Sequence, residues 1–264
     1  MSQNLKLALL DLSEGIRSWR IWFMLAWQDI RLRYRRSQLG PFWITISMAI
    51  TIYSMGFLYG HLFKMDLLEY FPFLSAGMLA WALISTTINE SSNAFIEAAG
   101  YLRQVKLPYI VFVLRVVVRN LIIFAHNIVA IIPVIIFCHV PFGFQIFGII
   151  LGLVILALNG VVYGVILAML GARFRDIAQV ITSLLQVIFF LTPVMWMQRN
   201  LPEKFYFIVK LNPFALFLDL IRSPLMGVWP NAYTYLVTLG ILLVGVVLML
   251  MLFSRSRHRI VYWL

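Results

Sequence analysis

The sequence has little charge and almost no cysteine, and both shortages restrict what the protein can be. Charged residues make up 12% of its 264 positions and hydrophobic residues 62%, whereas a globular domain carries about 25% charged residues. The single cysteine, Cys138, excludes a disulfide within the chain and any zinc site built from several cysteines. At this length the chain has room for one helical bundle and no separate soluble domain.

Motifs that would give the chain its own catalytic chemistry are also missing. The dipeptide Gly-Lys does not occur, so the chain cannot form the GxxxxGK[ST] loop that cradles nucleotide phosphates. It contains no HExxH motif and no paired Cys/His spacing suited to a metal. An enzyme needs a nucleophile or base with an orienting partner, and none is evident. We therefore predict no catalytic residue, no metal and no cofactor on this chain.

Long apolar runs dominate what is present. A hydrocarbon core about 30 Å thick needs about 20 apolar residues of helix to span it, and six segments approach that length. They are Pro41 to Phe63, Phe71 to Ile88, a run that follows Pro108 and ends near Phe137, Phe144 to Leu170, Ile177 to Trp196, and Tyr233 to Phe253. Residues 1–40 lack the apolar core and small-residue cleavage site of a signal peptide. We predict an all-α polytopic membrane protein that forms one domain: a cytoplasmic segment 1–40, six spans in 41–253 and a cytoplasmic tail 254–264.

The basic residues give the orientation. Of the 21 lysines and arginines, sixteen fall on one side of a six-span topology with the amino terminus, and five fall on the other. Loops rich in lysine and arginine stay in the cytoplasm. We therefore predict that both termini are cytoplasmic. The net charge of +11 then reflects topology, and we predict no nucleic-acid partner.

The segment before the first span is predicted to form an amphipathic helix in the membrane interface, from Trp19 to Arg36. Its apolar side carries Trp19, Phe23, Ala26, Trp27, Ile30 and Tyr34, and its polar side carries Arg20, Gln28, Arg31 and Arg35. An ordinary juxtamembrane anchor and a specific contact with lipid head groups both explain this pattern.

The connection between the last two spans, Met197 to Trp229, is too apolar for a solvated loop. It is predicted to contain two short helices that dip into the outer leaflet, with protein shielding the turn at Asn212 and Pro213.

Few polar residues inside the spans invite a functional interpretation. Arg115 and Arg119 share one face of the third span, where they either snorkel to the interface or hold an anionic head group. His126, beside Asn127, is interpreted as a hydrogen-bonding contact between helices rather than a proton relay. Two GxxxG pairs in the fourth span, Gly148 with Gly152 and Gly160 with Gly164, are interpreted as packing within one subunit.

Aromatic residues in the spans are numerous, and an interfacial belt accounts for those near the ends. Others lie deeper, where core packing is the default interpretation and a surface along which a polymer slides is the alternative. The candidates for a glycan path are Tyr53, Phe57, Tyr59, Trp81, Phe189, Phe190 and Trp196.

Four stretches make the chain similar to a known family. They are RLRYRRSQLGPFW (31–43), ARFRD (172–176), FFLTPV (189–194) and LNPF (211–214). Together with the order of the spans, they resemble the permease subunits of ABC exporters of cell-surface polysaccharides, and the O-antigen and teichoic acid branches more than the group-two capsule type. The resemblance covers almost the whole chain.

This resemblance implies partners and roles. Two copies of the permease would pair with two copies of a separate ATPase that binds ATP and Mg²⁺, in the bacterial inner membrane. The substrate would be a glycan on a polyprenyl diphosphate, and the outer aromatic segment would gate its exit. The diphosphate or head-group candidates are Arg31, Arg33, Arg35, Arg36, Arg115 and Arg119. Contacts to the ATPase would come from about Ser91 to Lys106 and from the loop between the fourth and fifth spans, with the candidates Glu97, Arg103, Lys106, Arg173, Arg175 and Asp176.

Two alternatives remain open from the sequence. A permease of the same broad class could move teichoic acid, capsule, a drug or a small lipid. More remotely, the chain could be a membrane transferase acting on polyprenyl-linked sugars, which needs a carboxylate or histidine constellation near the interface. On the inner side, beyond the leading segment, only Glu90, Glu97 and Asp176 are available, and none has an evident partner in the sequence.

Overall fold

In the computed structural model, which describes residues 3–33, 35, 38–62, 64–141 and 143–264, all regular structure is helical. Five stretches of this described part are helical, long and apolar enough to cross a membrane: Phe42–Leu62, Leu67–Gln104, Ile110–Phe137, Phe144–Arg173 and Ala232–Trp263. The prediction of an all-α polytopic membrane protein is confirmed at this level.

We number the α-helices in chain order. They are α1 (Gln3–Arg17), α2 (Trp19–Arg33), α3 (Phe42–Leu62), α4 (Leu67–Glu97), α5 (Ala99–Gln104), α6 (Ile110–Phe137), α7 (Gly148–Arg173), α8 (Ile177–Leu191), α9 (Tyr206–Leu211), α10 (Pro213–Leu225), α11 (Ala232–Ser256) and α12 (Ile260–Trp263). Helices α3, α6, α7 and α11 lie within a few residues of the predicted first, third, fourth and sixth spans.

The second predicted span is too short. It was expected to end at Ile88, but α4 continues through the polar stretch 89–93 to Glu97. Polar side chains end a span when they need water, but several of these bond to protein atoms instead. Ser92 donates to the Asn89 carbonyl at 2.6 Å, and the Asn89 side chain accepts from Thr182 of α8 at 3.0 Å. The polarity of this stretch predicted a loop, but bonds within α4 and to α8 allow the helix to continue through it.

The fifth predicted span is too long, because α8 ends at Leu191 rather than at Trp196. Pro193 has no N–H to continue the helix and forces the residue before it out of the helical region. Thr192 accordingly has extended backbone angles, with φ −94° and ψ 137°. At 1.5 Å per residue, α8 is about 22 Å long, which is shorter than a hydrocarbon core of about 30 Å.

The apolar segment after α8 contains the short helices α9 and α10, together with two 3-10 turns at Gln198–Asn200 and Glu203–Phe205. Asn212 caps α10 by accepting from the Phe214 N–H at 2.9 Å, and its amide donates to Thr192 Oγ1 at 2.8 Å. The polar groups of the turn between α9 and α10 are thus bonded to protein. On the next turns, Leu218, Leu220 and Ile221 of α10 are fully buried.

The leading segment forms two helices rather than one. Leu25, Ala26 and Ile30 form the buried side of α2, which packs on α6. Trp19, Phe23 and Trp27, assigned to the same apolar side by the sequence, are about half exposed. Tyr34 and Arg36, the end of the predicted helix, lie outside the described residues. Ala26 and Ile30 of the predicted apolar side thus pack against the bundle, while the aromatic rings remain outside the contact with α6. That α2 lies in the membrane interface stays a prediction.

Helix α4 is the centre of the bundle and contacts α3, α6, α7, α8 and α10. One cluster of buried apolar residues lies toward α10 and includes Leu79, Ile131 and Leu218. A second lies at the end of the molecule that carries both termini, where Phe95, Phe253 and Ile260 are fully buried. The tail after α11 is consequently part of the core at this end rather than a free extension.

Candidate functional site

Three neighbouring helices, α3, α4 and α8, carry polar side chains that we call the polar face. Its members are Ser47, Thr51, Ser85, Thr86, Asn89, Gln179, Thr182, Ser183 and Gln186. The bond from Thr182 to Asn89 joins α8 to α4, and a cleft joins α4 to α3. Polar groups are costly where they face lipid tails, so this surface is suited to water, to polar substrate or to another protein surface.

The hydroxyl groups of the polar face are already used as donors. Ser47, Thr51, Ser85, Thr86 and Ser183 each donate to the carbonyl four residues earlier in their own helix, at 2.6–3.1 Å. Each hydroxyl oxygen keeps capacity to accept a hydrogen bond. A surface of this kind offers acceptors to a ligand that is rich in hydroxyl donors, as a sugar chain is.

The cleft between α3, α4 and α6 has a volume of about 400 Å³. Its walls include Ser47, Thr51, Thr86, Asn127 and the ring of Trp81. Hydroxyl groups, amides and one large aromatic ring therefore meet at a depth where both α4 and α6 are otherwise apolar. This combination suits a carbohydrate, because an aromatic face packs on sugar C–H groups while neighbouring polar atoms bond hydroxyls.

The structure brings together four of the seven candidate path aromatics. Trp81 lies 5.5 Å from Phe189 and 6.2 Å from Phe214, between ring centroids. Phe189 also contacts Phe190 at 5.4 Å, and the Trp196 indole donates to the Phe190 carbonyl at 3.1 Å. Only 8% of Trp81 is exposed, whereas 65% of Phe190 is exposed, so the group runs from the bundle interior to its surface.

The other three aromatics lie apart from this group, on α3. Tyr53 donates to the Ala130 carbonyl of α6 at 3.0 Å. Phe57 is 64% exposed and stacks on His61, and Tyr59 packs against a cluster that contains Tyr70 and Leu74. Their role as a glycan path stays a prediction.

An ion cluster ties α2 to the bundle and involves three of the predicted head-group arginines. Arg115 Nε donates to Asp29 at 2.7 Å in a bidentate pair, and Arg119 bridges Asp29 and Glu90. Glu90 also accepts from Asn120 at 2.7 Å and from Arg33 at 3.3 Å. Glu90, which has no evident partner in the sequence, therefore has three in the structure.

The environment of this ion cluster is largely protein. Arg119 is only 5% exposed, so it does not snorkel to the interface. The cluster joins three arginines to two carboxylates, which leaves one positive charge in excess. Arg31 and Arg35 are exposed nearby in sequence, and Arg36 lies outside the described residues. Contact of these arginines with a lipid diphosphate stays a prediction.

The candidates for contact with an ATPase lie at the end of the molecule that carries both termini. Glu97 ends α4, Arg103 lies on α5 and Lys106 follows it, all exposed. The turn between α7 and α8 places Arg173, Arg175 and Asp176 at the same end. Here Arg173 lies over the Trp263 ring of α12 at 5.7 Å, and α12 also contacts α5. The carboxyl-terminal tail therefore links the two predicted coupling segments.

Asp11, which the sequence reading did not single out as a site, connects this end further. Its carboxylate accepts from the Tyr109 N–H at the start of α6 at 2.9 Å and pairs with Arg257 after α11 at 3.2 Å. Burial raises the pKa of the Asp11 carboxyl above its ordinary value of 3.8, although Arg257 and two backbone N–H groups favour the ionised form. The sequence carries little signal for this position, because the partners Tyr109 and Arg257 are 98 and 246 residues away.

The polar residues inside the third and fourth spans behave mainly as packing elements. The His126 carbonyl accepts from Thr45 of α3 at 2.9 Å, and its ring bonds the Ile122 carbonyl of its own helix. The four glycines of the two GxxxG pairs approach residues of the same chain, for example Gly152 against the Leu220 carbonyl. Across the part of the chain that the structure describes, no group of three or more His, Cys, Asp or Glu side chains is placed to hold a metal ion.

Comparison with known proteins gives a consistent result. The sequence model of the ABC-2 type transporter family matches residues 20–226. A curated protein of Klebsiella pneumoniae, O-antigen export system permease protein RfbA, is 24% identical over 240 residues, which cover 88% of this chain and 90% of that protein. A second Klebsiella pneumoniae protein of that name is 24% identical over 193 residues, 71% of this chain and 73% of its own. A Myxococcus xanthus protein of the same name is 25% identical over 178 residues, 65% of this chain and 66% of its own.

Proposed function

The chain belongs to the ABC-2 type transporter family, and on this premise we propose that it is the transmembrane permease subunit of an O-antigen-type polysaccharide exporter. It is a transport component rather than an enzyme. The relatives that support the polysaccharide substrate match it over as much as 88% of its length. The structural observation that carries the proposal is the polar face, because a permease for a hydroxylated polymer needs a polar surface among its membrane helices.

The polar face is proposed to line the glycan path together with a second copy of the chain. Most side chains of α8 are exposed, among them Gln186 near its middle, and a helix of this kind is poorly suited to lipid on that side. Pairing two copies through α3 and α8 would enclose both polar faces between them. The substrate is a glycan on a polyprenyl diphosphate, whose sugar would use the polar face while its lipid stays in the bilayer.

Transport is proposed to be powered by ATP and Mg²⁺ on a separate ATPase subunit, two copies of which would bind a permease dimer. The exposed residues Glu97, Arg103 and Lys106, and the turn containing Arg175 and Asp176, form the docking end. These segments contact the tail through Trp263 and lie near the contact of Asp11 with the start of α6. The contacts support this assignment, because a displacement of either segment by the ATPase would be transmitted to both chain termini.

We place both termini in the cytoplasm of a bacterium, with the bundle in the inner membrane, since the basic residues concentrate at the docking end. Six crossings are needed for this arrangement. Five are the long helices, and the remaining crossing, fifth in chain order, is α8 together with the segment up to Trp196. Helices α9 and α10 then lie at the outer leaflet, where they cover the exit of the path. Reporter fusions at each terminus and at Pro202, read for cytoplasmic or periplasmic activity, test the orientation.

The excess charge of the ion cluster supports a role at the inner interface. Arg33 of α2 bonds to Glu90 of α4, and Arg31 and Arg35 are exposed and close to Arg33 in sequence. Clustered guanidinium groups bind phosphate oxygens well. We propose that the diphosphate of the lipid carrier is held here before its glycan enters the polar face.

Deletion of the gene in its own host tests the function. The expected result is loss of surface glycan and accumulation of the complete lipid-linked glycan inside the cell, restored by the wild-type gene. Normal surface glycan after deletion would contradict the proposal. Accumulation of a drug or a small lipid with unchanged surface glycan would assign the permease to another substrate class.

A further inference from the structure

An apolar cavity lies on the other side of α4 and α6 from the polar cleft. It has a volume of about 440 Å³ and is enclosed by α4, α6, α7, α10 and α11. The polar cleft uses Trp81 and Thr86 of α4, whereas this cavity uses Ile84, Ile88 and Ser91. The two spaces share only Leu83 and otherwise use different residues of α4 and α6.

The walls of the cavity are hydrocarbon. Leucine, isoleucine, valine and phenylalanine side chains supply most of them. Among the polar residues, Tyr163 donates its hydroxyl to the Ile241 carbonyl at 2.9 Å. Ser91 Oγ and Asn159 Oδ1 are buried without a hydrogen-bond partner, and Thr87 adds one further hydroxyl to the lining. A water molecule needs two to four polar partners, so these walls favour an apolar occupant.

The shape of the cavity restricts that occupant further. Its lining on α7 runs from Leu156 to Leu167, which is about 16 Å at 1.5 Å per residue. An aliphatic chain can extend along a space of this length and needs only apolar walls. The cavity therefore suits one such chain.

The position of the cavity supplies the source of such a chain. Leu156 to Leu167 occupy the middle of α7, at the depth of the lipid tails. The lining residues Ile88, Leu121 and Leu167 are half-buried, so the space communicates with the protein surface. At this depth the mobile molecules around a membrane protein are the aliphatic chains of its lipids.

We propose that this cavity is a binding site for one aliphatic chain of a membrane lipid, seated within a single permease subunit. Phe214 and Phe217 of α10 form its wall on the outer side. A bound chain contacts these rings and stabilises the seating of α10 on the bundle. The site depends on the membrane location of the chain and not on its glycan substrate, and its test needs neither transport nor ATP.

The test is photolabelling of the purified full-length chain in lipid nanodiscs. One arm uses a phospholipid with a diazirine in the middle of an acyl chain, and the other a polyprenyl phosphate with a diazirine at the same depth. We expect labelled peptides from the cavity walls, at Ile88, Leu121 or Leu156. The arm that labels them identifies the lipid class.

Two substitutions on α7 make the result decisive. Ala157 lines the cavity, whereas its neighbour Leu158 is 48% exposed and does not. Ala157→Phe is expected to lower labelling of the cavity walls at least tenfold, while Leu158→Phe leaves it unchanged. Leu121→Phe, on α6, is the second filling variant if Ala157→Phe does not assemble. Labelling confined to outward residues such as Val154, or wall labelling that both filling variants leave unchanged, would overturn the proposal.

Discussion

Arg119, inside a membrane-spanning helix, donates to the carboxylate of Asp29 on the helix that precedes the membrane domain. Asp29 also binds Arg115 in a bidentate pair, so one carboxylate of α2 holds two arginines of α6. Glu90 completes the link to α4. Helix α2 is thus fixed to the bundle by charge as well as by its buried apolar side, and it must move with α4 and α6 when they move.

Asp29→Ala is expected to destabilise the protein markedly. It leaves Arg119, which is 5% exposed, without one of its two carboxylates. Removing one partner of a buried pair costs about 3–5 kcal/mol. The midpoint of thermal unfolding in detergent should fall by several degrees and surface glycan should decrease. Glu14→Ala, at an exposed acid of α1, is the control and should change neither. An unaltered midpoint for Asp29→Ala would show that the ion cluster does not hold α2.

The docking of α1 is expected to depend on pH through Asp11. Because burial raises the pKa of its carboxyl above 3.8, the docked state binds more protons than the undocked state between 3.8 and the raised value. Docking therefore loses free energy as the pH rises through that window and is constant above it. Hydrogen exchange of residues 3–17, corrected for the intrinsic rate, should show protection that decreases across the window. Asp11→Asn should remove the dependence, and protection that increases with pH would contradict the sign.

The polar side chains of α8 are expected to matter for transport and not for folding. The triple variant Gln179→Leu, Ser183→Leu and Gln186→Leu changes only exposed positions, so the protein should insert and unfold normally. Surface glycan should fall about tenfold or more, because the path loses its hydrogen-bonding groups along one helix. The matched control is the double variant Val180→Leu and Val187→Leu, because both positions are also exposed on α8. Normal export by the triple variant would remove α8 from the proposed path.

Close packing of α7 on its neighbours predicts a contrast between glycines. A Cβ atom at Gly171 would clash with the Ser92 carbonyl oxygen of α4, and one at Gly152 would clash with the Leu220 carbonyl oxygen of α10. Gly171→Ala and Gly152→Ala should each cost about 1–3 kcal/mol, as overpacking does.

The control for this contrast is on α11, where a Cβ atom at Gly240 has no neighbour within 4 Å. Gly240→Ala should leave stability unchanged or raise it by about 0.5–1 kcal/mol, since alanine favours a helix. Thermal unfolding of the three variants measures the difference. Equal midpoints for all three would mean that α7 is not in backbone contact with α4 and α10.

The helices that are apolar throughout could be located from the sequence. The ends of the second and fifth predicted spans were wrong, because a polar stretch was taken as the end of one and a proline ends the other early. Helices α3, α6, α7 and α11 could be located because hydrophobic length alone specifies a span. The polar stretch at Asn89 looked like a helix exit, since the partners that satisfy it, Thr182 and Arg119, come from distant parts of the chain. Pro193 ends α8 at Leu191, but the apolar residues continue past it to Trp196, and the predicted span followed them.

The candidate site was predictable in its residue types and less so in its connections. The excess of arginine correctly marked one end of the molecule, but sequence reasoning treated Arg115 and Arg119 as free cations. Their partners Asp29 and Glu90 are 86 and 29 residues away, and no periodicity in one sequence reports such a pairing. The polar face was missed for a different reason. Its hydroxyl groups are scattered over three helices, and each bonds its own backbone, so no single segment looked unusual.

The most direct measurement of the central claim is transport in vesicles that contain the purified chain with its ATPase subunit. Lipid-linked glycan is supplied in the leaflet that carries the ATPase, and its appearance on the opposite side is read with an impermeant lectin. The account predicts ATP-dependent appearance of the glycan, which the triple variant at Gln179, Ser183 and Gln186 lowers about tenfold or more. Glycan that never appears on the opposite side, or that appears equally without ATP, would contradict it.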